Sequence, residues 1–414
     1  MCGKAAMAMT KNSLPESRVY YLDPAAYPSP SADPFVASAT PPTIALRPAA
    51  VPLPLALQFF SSFSQTRIEA QDFAAAAVSL TAAGPSADAA VSHAEVAQAL
   101  RGQGRLQDAE ALLRQGLLQL RGELGETHPR ALRLQSELGS LLRASGSFTE
   151  ARRLLLSSIE GQRRLLGVAH EDTASSLEAL GQLLGDLGEF EQAEPLLQEV
   201  VVMRRRQLGE AHPDSLRALH HLGRVLGQQG RLQQAELILL QVQQQQRTCQ
   251  GAGHPDSLAT QGSLADVLSR QGRLDEAERL YRQCLGLRRR ALGRAHRDTL
   301  QAQSALAGLL SQQDRVAEAA PMLEEAVRLA EQGGDPGSYF TAQLQARYGA
   351  VLVALRQFAV AEAPLLAGYQ KLREVLGQLH PRTQAACSGL IALYRAWGKP
   401  EKAAPYRAAA AGCS

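Results

Sequence analysis

Apolar residues in the stretch LGEAHPDSLRALHHLGRVLGQQGRLQQAELILLQVQQQQRTC fall on helical faces. Leu216, Leu219, Leu222, Val225 and Leu226 stand three or four apart, which places them on one side of an α-helix. Pro213 suits the first turn of that helix, because its missing N–H would be unpaired there anyway. Asp214 and Ser215 can accept from the free amides of the same turn. Gly230 supplies the left-handed conformation that ends a helix. A second helix is predicted from about Leu232 to Thr248, with the small Ala235 one turn in, where two helices must approach closely. The pattern thus predicts a helix–turn–helix unit.

The unit recurs. Alanine stands at 109, 151, 193, 235, 277, 319, 361 and 403, each 42 residues after the last. Leu100, Leu142, Leu184, Leu226, Leu268, Leu310, Leu352 and Tyr394 keep the same register. So do His128, His170, His212, His254, His296 and His380, with Ser338 in the missing slot. The turn slot holds Gly104, Gly146, Gly188, Gly230, Gly272 and Gly398, with Asp314 and Arg356 as exceptions. Leu106, Phe148, Phe190, Leu232, Leu274, Val316 and Phe358 form an apolar slot that ends at Pro400 and should pack back on the first helix. A fixed period of this length means a stack of repeats, because one helix pair cannot bury its apolar face alone. About eight units are expected over residues 86–414, the last cut short. Ten of the 21 prolines fall in the first 54 residues, so residues 1–62 read as a disordered tail. Thr66–Leu80 has helical spacing, and residues 63–85 are expected to form a capping helix and linker. The junction at 331–340, EQGGDPGSYF, reads either as a drifted loop or as a hinge.

The pattern in LGQQGRLQQAELIL and LSRQGRLDEAERLY resembles the tetratricopeptide repeat. The 42-residue length, with LGEAHPDS at 208–215 and GAGHPDS at 251–257, is similar to the longer repeat of the kinesin light chain family. Looser matches stand at 124–129, 166–173, 292–299 and 376–383. The resemblance implies an all-α, right-handed superhelical solenoid of tetratricopeptide type that binds peptides. Two departures separate the chain from that family. A proline-rich tail replaces the heptad region through which kinesin light chains bind the motor. The slot of the family's second groove asparagine holds Glu137, Ala179, His221, Ser263, Ala305, Arg347 and Gly389. The resemblance therefore implies the fold and the mode of binding, not motor binding or cargo choice.

Composition narrows the function. Net charge is +3, from 43 basic and 40 acidic residues, which argues against a dedicated nucleic-acid or membrane-surface protein. Cys2, Cys249, Cys284, Cys387 and Cys413 are odd in number and scattered, so reduced thiols in a cytoplasmic chain are expected. The Ala- and Ser-rich start resembles an organellar transit peptide, but Glu16, Asp23 and Asp33 count against one. The longest apolar run, Ala49 to Phe60, is interrupted by Pro52 and Pro54, so no membrane span is expected.

No nucleophile–base motif, phosphate-cradling loop or zinc-protease motif occurs, so no catalytic residues, cofactor or enzyme activity are expected. The in-register histidines do not suit a metal, because equivalent residues of stacked helices lie about 8–10 Å apart or more. His220 and His221 are adjacent on a helix, so their side chains diverge. Arg121, Arg163, Arg205, Arg247, Arg289 and Arg373 form an edge near the second-helix ends. It reads either as a site for an acidic partner or as a solvated edge paired with Glu110, Glu194, Glu236, Glu278 and Glu362.

The concave surface is the remaining candidate. Glu137, Gln182, His221, Arg224, Gln228, Ser263, Asp266, Arg270 and Gln312 are polar, vary between units and are projected to face inward, with units three to five favoured. The expected function is a non-catalytic scaffold binding a peptide segment of another protein in this groove. The alternative is a cargo or assembly adaptor using the Arg edge.

The Ala slot is open to test. We expect Ala235→Phe to overpack one pair by about 1–3 kcal/mol and to melt neighbouring units, as read by chemical denaturation. Unchanged stability would remove the close approach from this position.

Overall fold

A computed structural model describes residues 87–333 and 338–411. The expected tail at 1–62, the helix at Thr66–Leu80 and the capping segment at 63–85 lie outside the described residues. Within them are sixteen α-helices and no strand. They pair in chain order: α1 (Ala87–Gly102) with α2 (Leu106–Leu124), α3 (Pro129–Ser145) with α4 (Phe148–Leu165). The third and fourth pairs are α5 (Glu171–Asp186) with α6 (Phe190–Leu208) and α7 (Pro213–Gln228) with α8 (Leu232–Cys249). Then come α9 (Pro255–Arg270) with α10 (Leu274–Leu292) and α11 (Arg297–Gln312) with α12 (Val316–Gln332). The last are α13 (Tyr339–Ala354) with α14 (Phe358–Leu376) and α15 (Pro381–Ala396) with α16 (Pro400–Ala411).

The in-register histidines cap the first helices. His212 Nδ1 accepts from the Asp214 amide at 3.2 Å, and His128, His170, His254, His296 and His380 do the same at 3.1–3.3 Å. The sequence assigns this task to Asp and Ser; the imidazole performs it instead, from the extended backbone conformation typical of a cap. Because Nδ1 accepts, the neutral ring carries its proton on Nε2. Ser338 fills the seventh slot by the same logic, accepting from the Thr341 amide at 3.1 Å. It starts α13 directly after the irregular junction, of which 334–337 lie outside the described residues.

Two kinds of left-handed residue separate the helices. Gly230, with φ +88°, ends α7, and Asp314 and Arg356 are held at φ +62° and +59° in the same slot. Between units, Gly209 adopts φ 93° and ψ 164°, a region that is essentially glycine-only.

Packing follows the predicted slots. All eight period-marking alanines have no exposed area, and the Leu/Tyr slot from Leu100 to Tyr394 is buried throughout. Helices within a pair come close: a Cβ on Gly181 would stand 2.8 Å from Leu197 Cγ. One apolar core runs from Val96 to Ala403 through all eight pairs. A small separate cluster of Leu300, Ala326, Val327 and Leu344 joins the sixth and seventh. Along the outside, Arg231, Arg273 and Arg315 reach back to Glu194, Glu236 and Glu278 of the preceding unit at 2.6–2.8 Å. Three of the Glu stripe are therefore paired with turn arginines, while Glu110 pairs with Arg114 and Glu362 with Lys402, not with the Arg edge expected from the sequence.

The stack also meets itself. His296 Nε2 donates to the Gly102 carbonyl at 2.7 Å, and His380 Nε2 donates to the Asp186 carbonyl at 3.1 Å. Between them, the Phe148 and Tyr339 rings meet edge-on at 5.2 Å. Each contact joins the helix–turn–helix bend of one unit to the first-helix start of the fifth unit onward. Units six, seven and eight thus lie against units one, two and three.

Arg356 gives a direct test of the turn. A side chain in the left-handed region costs about 1–2 kcal/mol, and the extra unfolded freedom of glycine offsets about 0.5–1 kcal/mol of that. We expect Arg356→Gly to raise stability to urea by up to about 1 kcal/mol, and Asp314→Gly to raise it less. A loss of stability in Arg356→Gly would contradict the strain at this position.

Candidate functional site

The first helices are joined to one another by polar bonds across successive units. Ser176 donates to Ser136 at 2.7 Å, buried His220 Nδ1 lies 2.9 Å from Thr260 Oγ1, and Ser269 donates to Gln312 at 2.9 Å. The nine residues projected to face inward divide on this ladder. Gln182 and Gln228 are half-buried, and the Gln228 carbonyl oxygen has no hydrogen-bond partner. Glu137 is half-buried and acts on Arg101 through space. Arg270 is exposed and donates to the Gly227 carbonyl at 3.2 Å, and exposed Gln312 takes the Ser269 bond. Arg224 is committed to Asp186 at 2.9 Å, and His221 Nε2 lies 3.7 Å from Glu178. Ser263 is buried and contributes little open surface. Asp266 accepts from the hydroxyl of Tyr281.

Three functional-looking residues were not projected from the sequence. Asp186 binds both Arg143, at 2.6 Å, and Arg224. Burial works to raise its pKa, but Arg224 and Arg143, with Arg382 from the eighth unit, outweigh it and hold the carboxyl far below the usual range. Its register slot is that of Gln228, Arg270 and Gln312 one unit earlier, a signal the sequence did contain. Glu178 gathers Arg204 at 2.8 Å, Arg217 at 3.6 Å and His221. Tyr281 replaces the leucine that other units carry at Leu155, Leu197, Leu239, Leu323 and Leu365. Its hydroxyl therefore reaches the inner face. Asp266 keeps exposed area, yet protein surrounds its carboxyl closely. Burial raises its pKa against the opposing pull of Tyr281, Arg347 and Arg270.

The Arg edge is mostly occupied. Arg121 bonds Gln135 at 2.6 Å, Arg163 bonds Glu199 at 3.1 Å, Arg289 bonds Gln303 at 2.8 Å, and Arg373 lies over the Tyr369 ring. Among the described residues, no group of three or more His, Cys, Asp or Glu converges as metal ligands would. None of their helices is long and apolar enough to cross a membrane.

The tetratricopeptide repeat family matches residues 87–164, 130–205, 172–248 and 249–332, together more than half of the 414 residues. The chain belongs to the tetratricopeptide repeat family. No curated protein matches it by sequence. Among solved structures, a putative kinesin light chain from Podosopora anserina with nearly identical repeats is 30% identical. The match covers 48% of this chain and 94% of that one, at a TM-score of 0.39. A Rap protein complexed with competence and sporulation factor is 10% identical, over 87% and 96% of the two chains, with a TM-score of 0.61. The Rap conjugation regulator of plasmid pLS20, in complex with the Phr* peptide, is 12% identical over 79% and 90%, with a TM-score of 0.55. The two Rap structures share the fold of this repeat protein.

The buried histidines make its stability depend on pH. Burial, with Arg224 and Arg288 nearby, lowers the His220 pKa from 6.5 to about 3. The folded chain keeps this ring neutral where the unfolded chain takes up a proton. Its contribution is therefore complete above about pH 6.5 and falls as pH drops toward about 3, by up to about 1.4 kcal/mol per unit. His221, lowered for the same first reason, adds in the same direction. Urea midpoints measured from about pH 7 to about pH 4 should decline, and His220→Gln should flatten the decline. An unaltered slope in that variant would contradict a neutral, buried His220.

Proposed function

We propose that this tetratricopeptide repeat chain is a non-catalytic scaffold that holds a peptide segment of a protein partner on its inner face. Units three to five carry most of the site, through Gln182, Gln228 and Arg270, and Gln312 extends it into unit six. The observation that carries this reading is the contrast between slots. The packing positions repeat with the same residue types, whereas the inner slots change chemistry from unit to unit, as at Asp186, Gln228, Arg270 and Gln312. Peptide backbones need scattered donors and acceptors along a line, and part-exposed amide side chains such as Gln182 and Gln312 suit that role. The Rap regulator solved with the Phr* peptide supports this reading, since its similar fold holds such a ligand. The adaptor reading that uses the Arg edge draws less support, because Arg121, Arg163 and Arg289 already have side-chain partners.

Affinity capture from a matching lysate tests the placement. The full chain is compared with one carrying Gln182→Ala, Gln228→Ala and Arg270→Ala, and with one carrying Arg163→Ala and Arg247→Ala. We expect the first variant to lose a specific protein partner while its helical circular dichroism stays intact. Retention by that variant and loss by the second would move recognition to the Arg edge. Modest loss of affinity with added salt is also expected, since the groove contacts are of mixed polarity.

A further inference from the structure

Coil closure gathers more positive charge than the carboxylates in contact with it offset. Arg101 ends α1, Arg143 lies in the last turn of α3, and Arg297 begins α11. Arg101 and Arg297 are the chain neighbours of Gly102 and His296, whose hydrogen bond ties unit six to unit one. Arg143 bears electrostatically on both Arg101 and Arg297, and Arg101 bears on Arg297 across the seam. No carboxylate lies within 4.0 Å of Arg101 or Arg297 among the described residues. Arg101 reaches only the Ser140 hydroxyl, at 3.3 Å, and Arg297 lies over the Phe340 ring at 4.8 Å. Glu137, Asp298 and Asp186 act on this group from longer range, and Asp186 is shared between Arg143 and Arg224. Arg217, tied to Asp214 and Glu178, adds further positive potential. Burial first, and neighbouring arginines second, push the pKa of Arg101 down, and both also act on Arg297.

The residue at 297 is unusual for its slot. Proline opens the first helix at Pro129, Pro213, Pro255 and Pro381, and arginine takes that place only in unit six. Helix formation does not require an arginine there. Both Arg101 and Arg297 keep area open to solvent, so a solute can reach them.

We propose that the seam between units one and six binds a compact polyanion of the polyphosphate type, bridged by Arg101 and Arg297, with Asp186-paired Arg143 beside them. Guanidinium groups present fixed forks of N–H donors that match phosphate oxygens two at a time. Two unpaired forks brought to one seam by the Gly102–His296 bond suit several charges on a small body. An extended acidic chain spaces same-face carboxylates about 6–7 Å apart and would string them along a line instead. The ligand joins residues from two turns of the coil, so it binds the closed arrangement and favours it by its differential affinity. This site is separate from the proposed peptide groove, since neither Arg101 nor Arg297 belongs to that groove.

The test uses the full chain and sodium tripolyphosphate in calorimetric titration at near-physiological salt. We expect saturable binding that weakens by about tenfold or more in Arg101→Gln and in Arg297→Gln, and stays unchanged in Arg290→Gln, an exposed arginine outside the seam. Arg297→Pro installs the residue its sister helices carry, and circular dichroism on it separates lost binding from lost folding. Absence of saturable binding, or an affinity in both seam variants equal to that of the unaltered chain, would overturn the site. Dependence on only one of the two arginines would overturn the bridge between turns. Partner capture by the groove is read independently, so either result leaves that reading intact or lost on its own terms.

Discussion

Each helix pair covers one apolar face within itself and leaves another that only the next pair can cover. That constraint organises everything else in the molecule. It demands small residues where the helices approach, and the alanine slot with no exposed area meets it in all eight pairs. It also makes every junction nearly equivalent, because the same residue types meet in the same slots. Equivalent junctions impose similar rotations, and similar rotations accumulate. After five units the accumulated turn brings the stack back onto itself, and the Gly102–His296 and Asp186–His380 bonds record that meeting.

Closure changes the electrostatics of the inner face. A charge on an open groove would be solvated on one side, at little cost. Inside a coil whose turns touch, the same charge needs a partner. Asp186 answers two arginines directly and feels a third from the eighth unit. Arg204 has no exposed side-chain area and is held between Glu171 and Glu178, both at 2.8 Å, with the Asp214 carbonyl at 3.3 Å. Removing one member of such a set would strand a buried charge, at a cost of about 3–5 kcal/mol. Arg101 and Arg297 at the seam are the part of this inner network left without a carboxylate in contact, whereas Arg143 beside them is paired with Asp186.

Much of the local structure was legible in the chain. The helix bounds near Pro213 and Leu232 and the left-handed turn at Gly230 follow from residue type, and the strained exceptions at Asp314 and Arg356 follow from repeat register. The capping role of histidine was not, because Asp and Ser are the stronger general caps and stand beside it. The inner-face residues were legible as a class but not in their pairings. Arg224 and Asp266 looked like free groove positions, yet Asp186 and Tyr281 occupy them from neighbouring elements. Pairing depends on which side chains reach across a junction, and a single unit does not display that reach.

By itself the sequence determined the repeat, its helices, its turns and the slots that must be buried, because each rests on contacts within one unit or between adjacent ones. Tertiary structure alone decided that units six to eight lie on units one to three. Those contacts span 194 residues and fall at no multiple of the 42-residue period. They arise from the sum of many small rotations between pairs, each set by side-chain packing. A pattern read one unit at a time carries the size of none of them.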